Sequence, residues 1–133
     1  MITALIAAVA AFAVTADCAA APQSATATRA ELTTWLERLR VSGVDVAAPQ
    51  PWRYSFSASV AVRLETFSLE LVRLEYAIET LRPRAPEGAE LLVTRVELLT
   101  PAALERRSRE LESLARKHGV RYVGVDVAAG VTR

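Results

Sequence analysis

Cysteine occurs once in the chain, at position 18, and histidine once, at position 118. A single cysteine excludes an intramolecular disulfide framework and a cysteine-based metal site. A single histidine excludes a two-histidine metal site and leaves little room for histidine acid–base chemistry. Aspartate is scarce as well, with only Asp17, Asp45 and Asp126. An excess of one charge sign is also missing. Sixteen Lys and Arg stand against fifteen Asp and Glu, for a net charge of +1. Binding along a nucleic-acid backbone needs a basic excess gathered on one face, so no direct nucleic-acid contact is expected. The chain has no G-x-G-x-x-G loop, no P-loop and no G-x-S-x-G elbow. It therefore lacks the usual phosphate cradles and the strained nucleophile turn. These absences predict a protein with no cofactor, no metal and no enzymatic activity.

Apolar residues are plentiful, at 52% of the 133 positions, enough for one modest core and too many for a disordered chain. They are unevenly placed. Residues 2–16, ITALIAAVAAFAVTA, carry no charge. As a helix they would measure about 22 Å, short of the ~30 Å needed to cross a bilayer core. The length suits the apolar core of a secretory leader, with small residues at Val14-Thr15-Ala16 and again at Ala25-Thr26-Ala27 for a cut. No Lys or Arg precedes the run, and Thr15-Ala16-Asp17 before Cys18 does not fit a lipoprotein signal. Export or a membrane tether through residues 2–16 is one reading of localisation. A cytoplasmic protein with a buried terminal helix is the other. Residues 17–28 read as a linker, so residues 1–27 form a leader or tether and residues 28–133 a single α+β domain.

Within that domain Thr28 and Glu31 are spaced as a capping box, and Leu32, Trp35, Leu36 and Leu39 follow on one helical face. Gly43 supplies the stop. Trp52, Tyr54, Phe56 and Ala58 alternate with Arg53, Ser55 and Ser57, the pattern of a strand with one buried face. Val60, Leu64, Phe67, Leu71, Leu74, Ile78 and Leu81 recur at spacings of 4 and 3, which predicts a helix through residues 59–82 with Ser59 as its cap. A strand centred on Val72, Leu74 and Tyr76 competes over part of that stretch. The stripe could also serve in part as a seam between copies of the chain. Residues 91–99 predict a strand with Leu92, Val96 and Leu98 on one face. Thr100-Pro101 opens a further helix, with Leu104, Leu111, Leu114 and Ala115 as its stripe and Gly119 as its end. The last strand, VRYVGVDV, sets Val123, Val125 and Val127 against Tyr122, Gly124 and Asp126. Gly124 inside such a strand suggests a bulge or a close backbone approach. Strands separated by helices, in this order, predict a ferredoxin-like α+β sandwich with helices packed on one face of a small sheet.

Candidate sites are few. His118 sits where a helix end needs carbonyl partners, and that role is expected of it. Asp45 and Asp126 each lie in Val-Asp-Val, and nothing in the sequence brings them together as an acid–base pair. Glu105, Arg106, Arg107, Arg109, Glu110, Glu112, Arg116 and Lys117 read as a solvated helix face, or as a docking face for an acidic partner or an RNA backbone.

Two stretches carry a resemblance. Leu98-Leu99-Thr100-Pro101 through LERRSRELESLARKHG to VRYVGVDV is similar to the C-terminal half of the regulator of ribonuclease activity B family. VSGVDVAAPQPWRYSFSA resembles that family's Gly-x-Asp turn and first strand, through Gly43, Asp45, Pro49, Tyr54 and Phe56. The family's last strand carries Tyr-Asp-Gly-Trp. Tyr122 and Gly124 match it, while Val123 and Val125 stand at the other two positions. The similarity covers about residues 43–127. It implies a small bacterial α+β protein that binds ribonuclease E and inhibits it without catalysis, by occluding a surface. For a partner surface, the last strand and the charged helix face offer Tyr122, Gly124, Asp126, Arg106, Arg109 and Arg116. The competing expectation is an exported or membrane-tethered adaptor module of an envelope assembly, with a homo-oligomer compatible with either.

Overall fold

A computed structural model of the chain describes residues 27–84 and 88–128. The leader and linker expected over residues 1–27 fall almost entirely outside them. The order is α1 (Arg29–Val41), β1 (Gln50–Ala58), α2 (Ala61–Arg73), β2 (Ala77–Pro83), β3 (Ala89–Glu97), α3 (Pro101–Lys117) and β4 (Arg121–Val127). The four strands form one sheet in the order β2-β3-β1-β4, and every neighbouring pair is antiparallel. Strand–helix–strand–strand–helix–strand in that order is consistent with the ferredoxin-like sandwich expected from the sequence.

All three helices cover the same sheet face. Trp52, Tyr54 and Phe56 are fully buried there, with Leu91 and Val93 opposite them on β3. Trp35 of α1 lies 6.0 Å from Trp52 between ring centres, and Phe67 of α2 packs edge-on against Phe56 at 4.8 Å. Ser108 of α3 stands 3.5 Å from the Tyr122 hydroxyl. Leu32, Leu36, Leu64, Leu71, Leu104 and Leu111 fill the space between. The other face carries Arg53, Ser55 and Ser57 and is held by a two-bond pair from Arg53 to Glu79 at 2.8 and 2.9 Å.

The helix starts follow the expected chemistry. Thr28 Oγ1 accepts the Glu31 amide at 3.1 Å, and Glu31 accepts the Thr28 amide at 2.8 Å. Thr100 Oγ1 accepts the Ala103 amide, with Pro101 at the first helical position. Ser59 does not cap α2, whose cap residue is Val60 with no side-chain bond.

The long helix expected over residues 59–82 is corrected to a helix ending at Arg73 and an edge strand from Ala77. The cause is the turn Leu74-Glu75-Tyr76. The Tyr76 amide donates to Leu71 O and the Glu75 amide to Val72 O, both at 3.0 Å. This is the paired bonding of a Schellman stop. α1 and α3 end the same way at Gly43 and Gly119, both with positive φ. At α2 the left-handed position is held by Glu75, at φ 73°. The stripe accordingly splits. Leu64, Phe67 and Leu71 are buried, while Val60, Leu74, Ile78 and Leu81 are exposed.

Two strand faces are also corrected. On β3 the buried residues are Ala89, Leu91 and Val93, whereas Val96 and Leu98 are exposed. Residues 91–93 are apolar on both faces, so alternation could not choose. The register opposite Tyr54 and Phe56 makes the choice. On β4 the pairing with β1 shifts between Ser55 and Phe56, leaving Val123 extra beside Gly124. One extra residue reverses the alternation, so Tyr122 and Val125 both face the helices.

Candidate docking site

The six residues expected to form a partner surface are not brought together. Tyr122 is 8% exposed, and Gly124 is buried too, so neither offers contact area. Asp126 is exposed on β4, where its carboxylate accepts the Val127 amide at 2.8 Å. Arg106, Arg109 and Arg116 are exposed on the outer side of α3, the opposite side of that helix from Tyr122. Arg109 pairs with Glu105 at 2.9 Å and Arg116 with Glu112 at 3.5 Å. Both arginines are exposed, so these pairs contribute little to stability and leave a face of mixed sign.

The only histidine ends α3, as expected, but its ring has a different task. The backbone amide of His118 caps the helix, while Nε2 lies 2.6 Å from Glu70 Oε1 on α2. The ring also packs beside Phe67 at 5.3 Å. His118 therefore ties the end of α3 to α2. Asp45 accepts the Ala47 amide in a local turn, so both aspartates of the described region bond to neighbouring backbone. Among the described residues, no group of His, Cys, Asp and Glu is arranged to hold a metal, and no helix is long and apolar enough to cross a membrane.

A more organised cluster lies where the end of β3 meets the turn after α2 and the middle of α3. Arg95 and Glu97 follow Val93 on the helix-covered side of the sheet. Glu97 Oε2 accepts the Tyr54 hydroxyl at 3.0 Å, and Oε1 accepts Arg107 Nη2 at 2.7 Å. Arg107 Nη1 donates to Glu110 at 3.0 Å. Arg95 donates to Leu74 O at 3.2 Å, and its guanidinium sits 5.2 Å from the centre of the Tyr76 ring. Burial pushes the Tyr54 hydroxyl far above its ordinary range, and the facing Glu97 carboxylate adds to this. Burial also raises Tyr76. Arg107 loses solvation, but its hydrogen bond to the Glu97 carboxylate offsets that loss and holds it charged. Two tyrosines that stay neutral and arginines that stay charged supply no acid or base that works near neutral pH. The cluster can position charge and donate hydrogen bonds. Of the cluster, Leu74, Tyr76, Arg95, Arg107 and Glu110 line a recess of about 550 Å³ together with Arg73, Glu75, Leu111 and Leu114.

Reasoning from sequence missed this cluster. Its partners are far apart in the chain, as with Tyr54 and Glu97. Two local signals were present: Arg95 and Glu97 alternate onto one strand face, and Arg107 and Glu110 are three apart on a helix.

The seven aromatic side chains of the described region all point into the core. The open sheet face therefore lacks the stacking platform by which sheet proteins grip single-stranded RNA. Fold and site together define a small α+β module, with charged surfaces around an aromatic core. A comparison with family models identifies the regulator of ribonuclease activity B family over residues 29–127, the span from the first residue of α1 to the last of β4. The chain belongs to that family, whose members are regulators that act by binding protein. No curated protein matches the chain.

Proposed function

We propose that the chain is a non-enzymatic regulator that docks on a ribonuclease of the ribonuclease E type and restrains it by occlusion. The observation that carries this reading is the family match, which spans the whole described α+β unit rather than one motif within it. Its physical support is a core braced by aromatic pairs. A rigid body loses little conformational entropy on docking, so contact area converts more fully into affinity. Covering the nuclease surface would keep RNA or scaffold proteins from reaching it. The exposed Arg106, Arg109, Arg116 and Asp126 remain in the proposal as parts of the contacting rim, and Tyr122 and Gly124 act only by shaping β4.

The test is a cleavage assay with purified ribonuclease E and a labelled RNA. Added chain should slow cleavage in proportion to the fraction of nuclease bound and should not cleave the RNA itself. Unchanged cleavage at saturating chain would sink the proposal. The adaptor reading rests on the apolar residues 2–16. Fractionation separates the two: chain recovered only from the cytosol with Met1 intact excludes the adaptor.

A further inference from the structure

We propose that the recess between the end of α2, the end of β3 and α3 is a socket for a single carboxylate side chain, presented by a protein partner next to an apolar residue. The inference rests on the docking function above and names the chemistry of one contact within it.

Three arginines line the recess: Arg73, Arg95 and Arg107. Two are held in place before any ligand arrives. Arg95 is fixed by Leu74 O at 3.2 Å and by the Tyr76 ring. Arg107 is anchored from behind by Glu97 at 2.7 Å, and Glu97 is in turn steadied by the Tyr54 hydroxyl at 3.0 Å. Long cationic side chains normally lose much rotamer freedom on binding, and here much of that loss has already occurred in folding. Arg73 is exposed and makes no ion pair among the described residues. The outer nitrogen of Arg107 is occupied by Glu110, whose side chain is 56% exposed. So exposed a partner is held weakly, and an incoming carboxylate can take its place.

The charge count selects the ligand. The lining holds three arginines and two carboxylates, Glu75 and Glu110, a surplus of one positive charge, while Glu97 lies outside the lining, bonded to Arg107 and Tyr54. A single negative charge can replace Glu110 on Arg107 and gain Arg73 and Arg95. A phosphate-rich polymer would bring several charges past Glu75 and Glu110 and meet repulsion. Leu74, Leu111 and Leu114 supply apolar walls, which strengthen a charge-assisted hydrogen bond and fit an apolar neighbour on the same peptide. The left-handed Glu75 stands at the mouth, where strain is held by the turn that positions Tyr76.

The experiment titrates the full isotope-labelled chain with N-acetyl-Glu-Leu-amide and follows its amide and arginine side-chain resonances. Saturable shifts are expected for residues 73–76 and 107–114, with N-acetyl-Gln-Leu-amide binding at least ten-fold more weakly. Arg73→Glu and Arg95→Gln should each weaken the acidic peptide at least five-fold, and Glu110→Gln should tighten it about three-fold. Arg73 is exposed and Arg73→Glu keeps the fold, so the test survives if Arg95→Gln does not. Equal binding of the neutral peptide, no effect of Arg73→Glu, or displacement by oligouridylate at lower concentration overturns the proposal. The same variants are then mixed with ribonuclease E. If the nuclease binds while the acidic peptide does not, the socket fails alone. If the peptide binds while the nuclease does not, the docking function fails and the socket stands.

Discussion

Glu75→Gly should make the protein more stable, although it deletes a side chain and adds a glycine. Glu75 occupies the left-handed position of the turn that ends α2, at φ 73°. An L residue there costs about 1–2 kcal/mol from crowding between Cβ and its own backbone. Glycine removes that cost but makes the unfolded chain more flexible, which returns about 0.5–1 kcal/mol. The glutamate is exposed, and its side chain makes no hydrogen bond among the described residues, unlike Glu31 or Glu97. The expected net gain is about 0.5–1 kcal/mol, or roughly 2–8 °C in Tm for a domain of this size. Urea melts of the parent, Glu75→Gly and Glu75→Ala measure it. Alanine keeps Cβ and should leave stability within about 0.5 kcal/mol of the parent. A Glu75→Gly variant equal to or less stable than the parent would refute the strain argument, and with it the explanation of why α2 stops.

Phe67→Ala should cost about 3–5 kcal/mol by urea melting, because the ring is fully buried between Phe56 and His118; a loss below ~1 kcal/mol would mean the ring is not in the core. Alkaline stability should fall as tyrosines ionise. Burial raises Tyr122 to about 12, against about 10 in the unfolded chain. The folded state therefore holds the proton more tightly, and the stabilisation is complete below pH ~10 and lost between pH ~10 and ~12, at about 1.4 kcal/mol per pH unit per tyrosine. Tyr122→Phe should flatten that decline by about one proton in melts run across the same range. His118→Gln should cost about 0.5–1.5 kcal/mol for the weakened Glu70 contact, while ribonuclease binding stays within a few-fold.

Much of the fold was legible because its signals are local. The Thr28–Glu31 box, Thr100-Pro101 and the alternation of Trp52, Tyr54 and Phe56 each act within a few residues, and each appears as expected. The break after α2 was hidden because its stop uses Glu75, where a reader looks for glycine. The Tyr76-to-Leu71 and Glu75-to-Val72 bonds reveal it. The faces of β3 and β4 depended on register and on one bulge, both set by pairing across the sheet. The Glu97 cluster was invisible for a related reason. Tyr54, Tyr76, Glu97 and Arg107 come from three elements and the turn after α2, and no spacing rule links them. The resemblance through Thr100-Pro101 and Tyr122-x-Gly124 carried the family without revealing where a partner would sit, since Tyr122 is inside.

The central claim, regulation by binding a nuclease, is tested most directly by measuring association of the fluorescently labelled chain with purified ribonuclease E alongside its association with the substrate RNA alone. Saturable binding to the nuclease is expected, with half-saturation matching half-inhibition of cleavage, and no binding to the RNA over the same range. Binding to RNA as tight as binding to the nuclease, or inhibition without any complex, would contradict it.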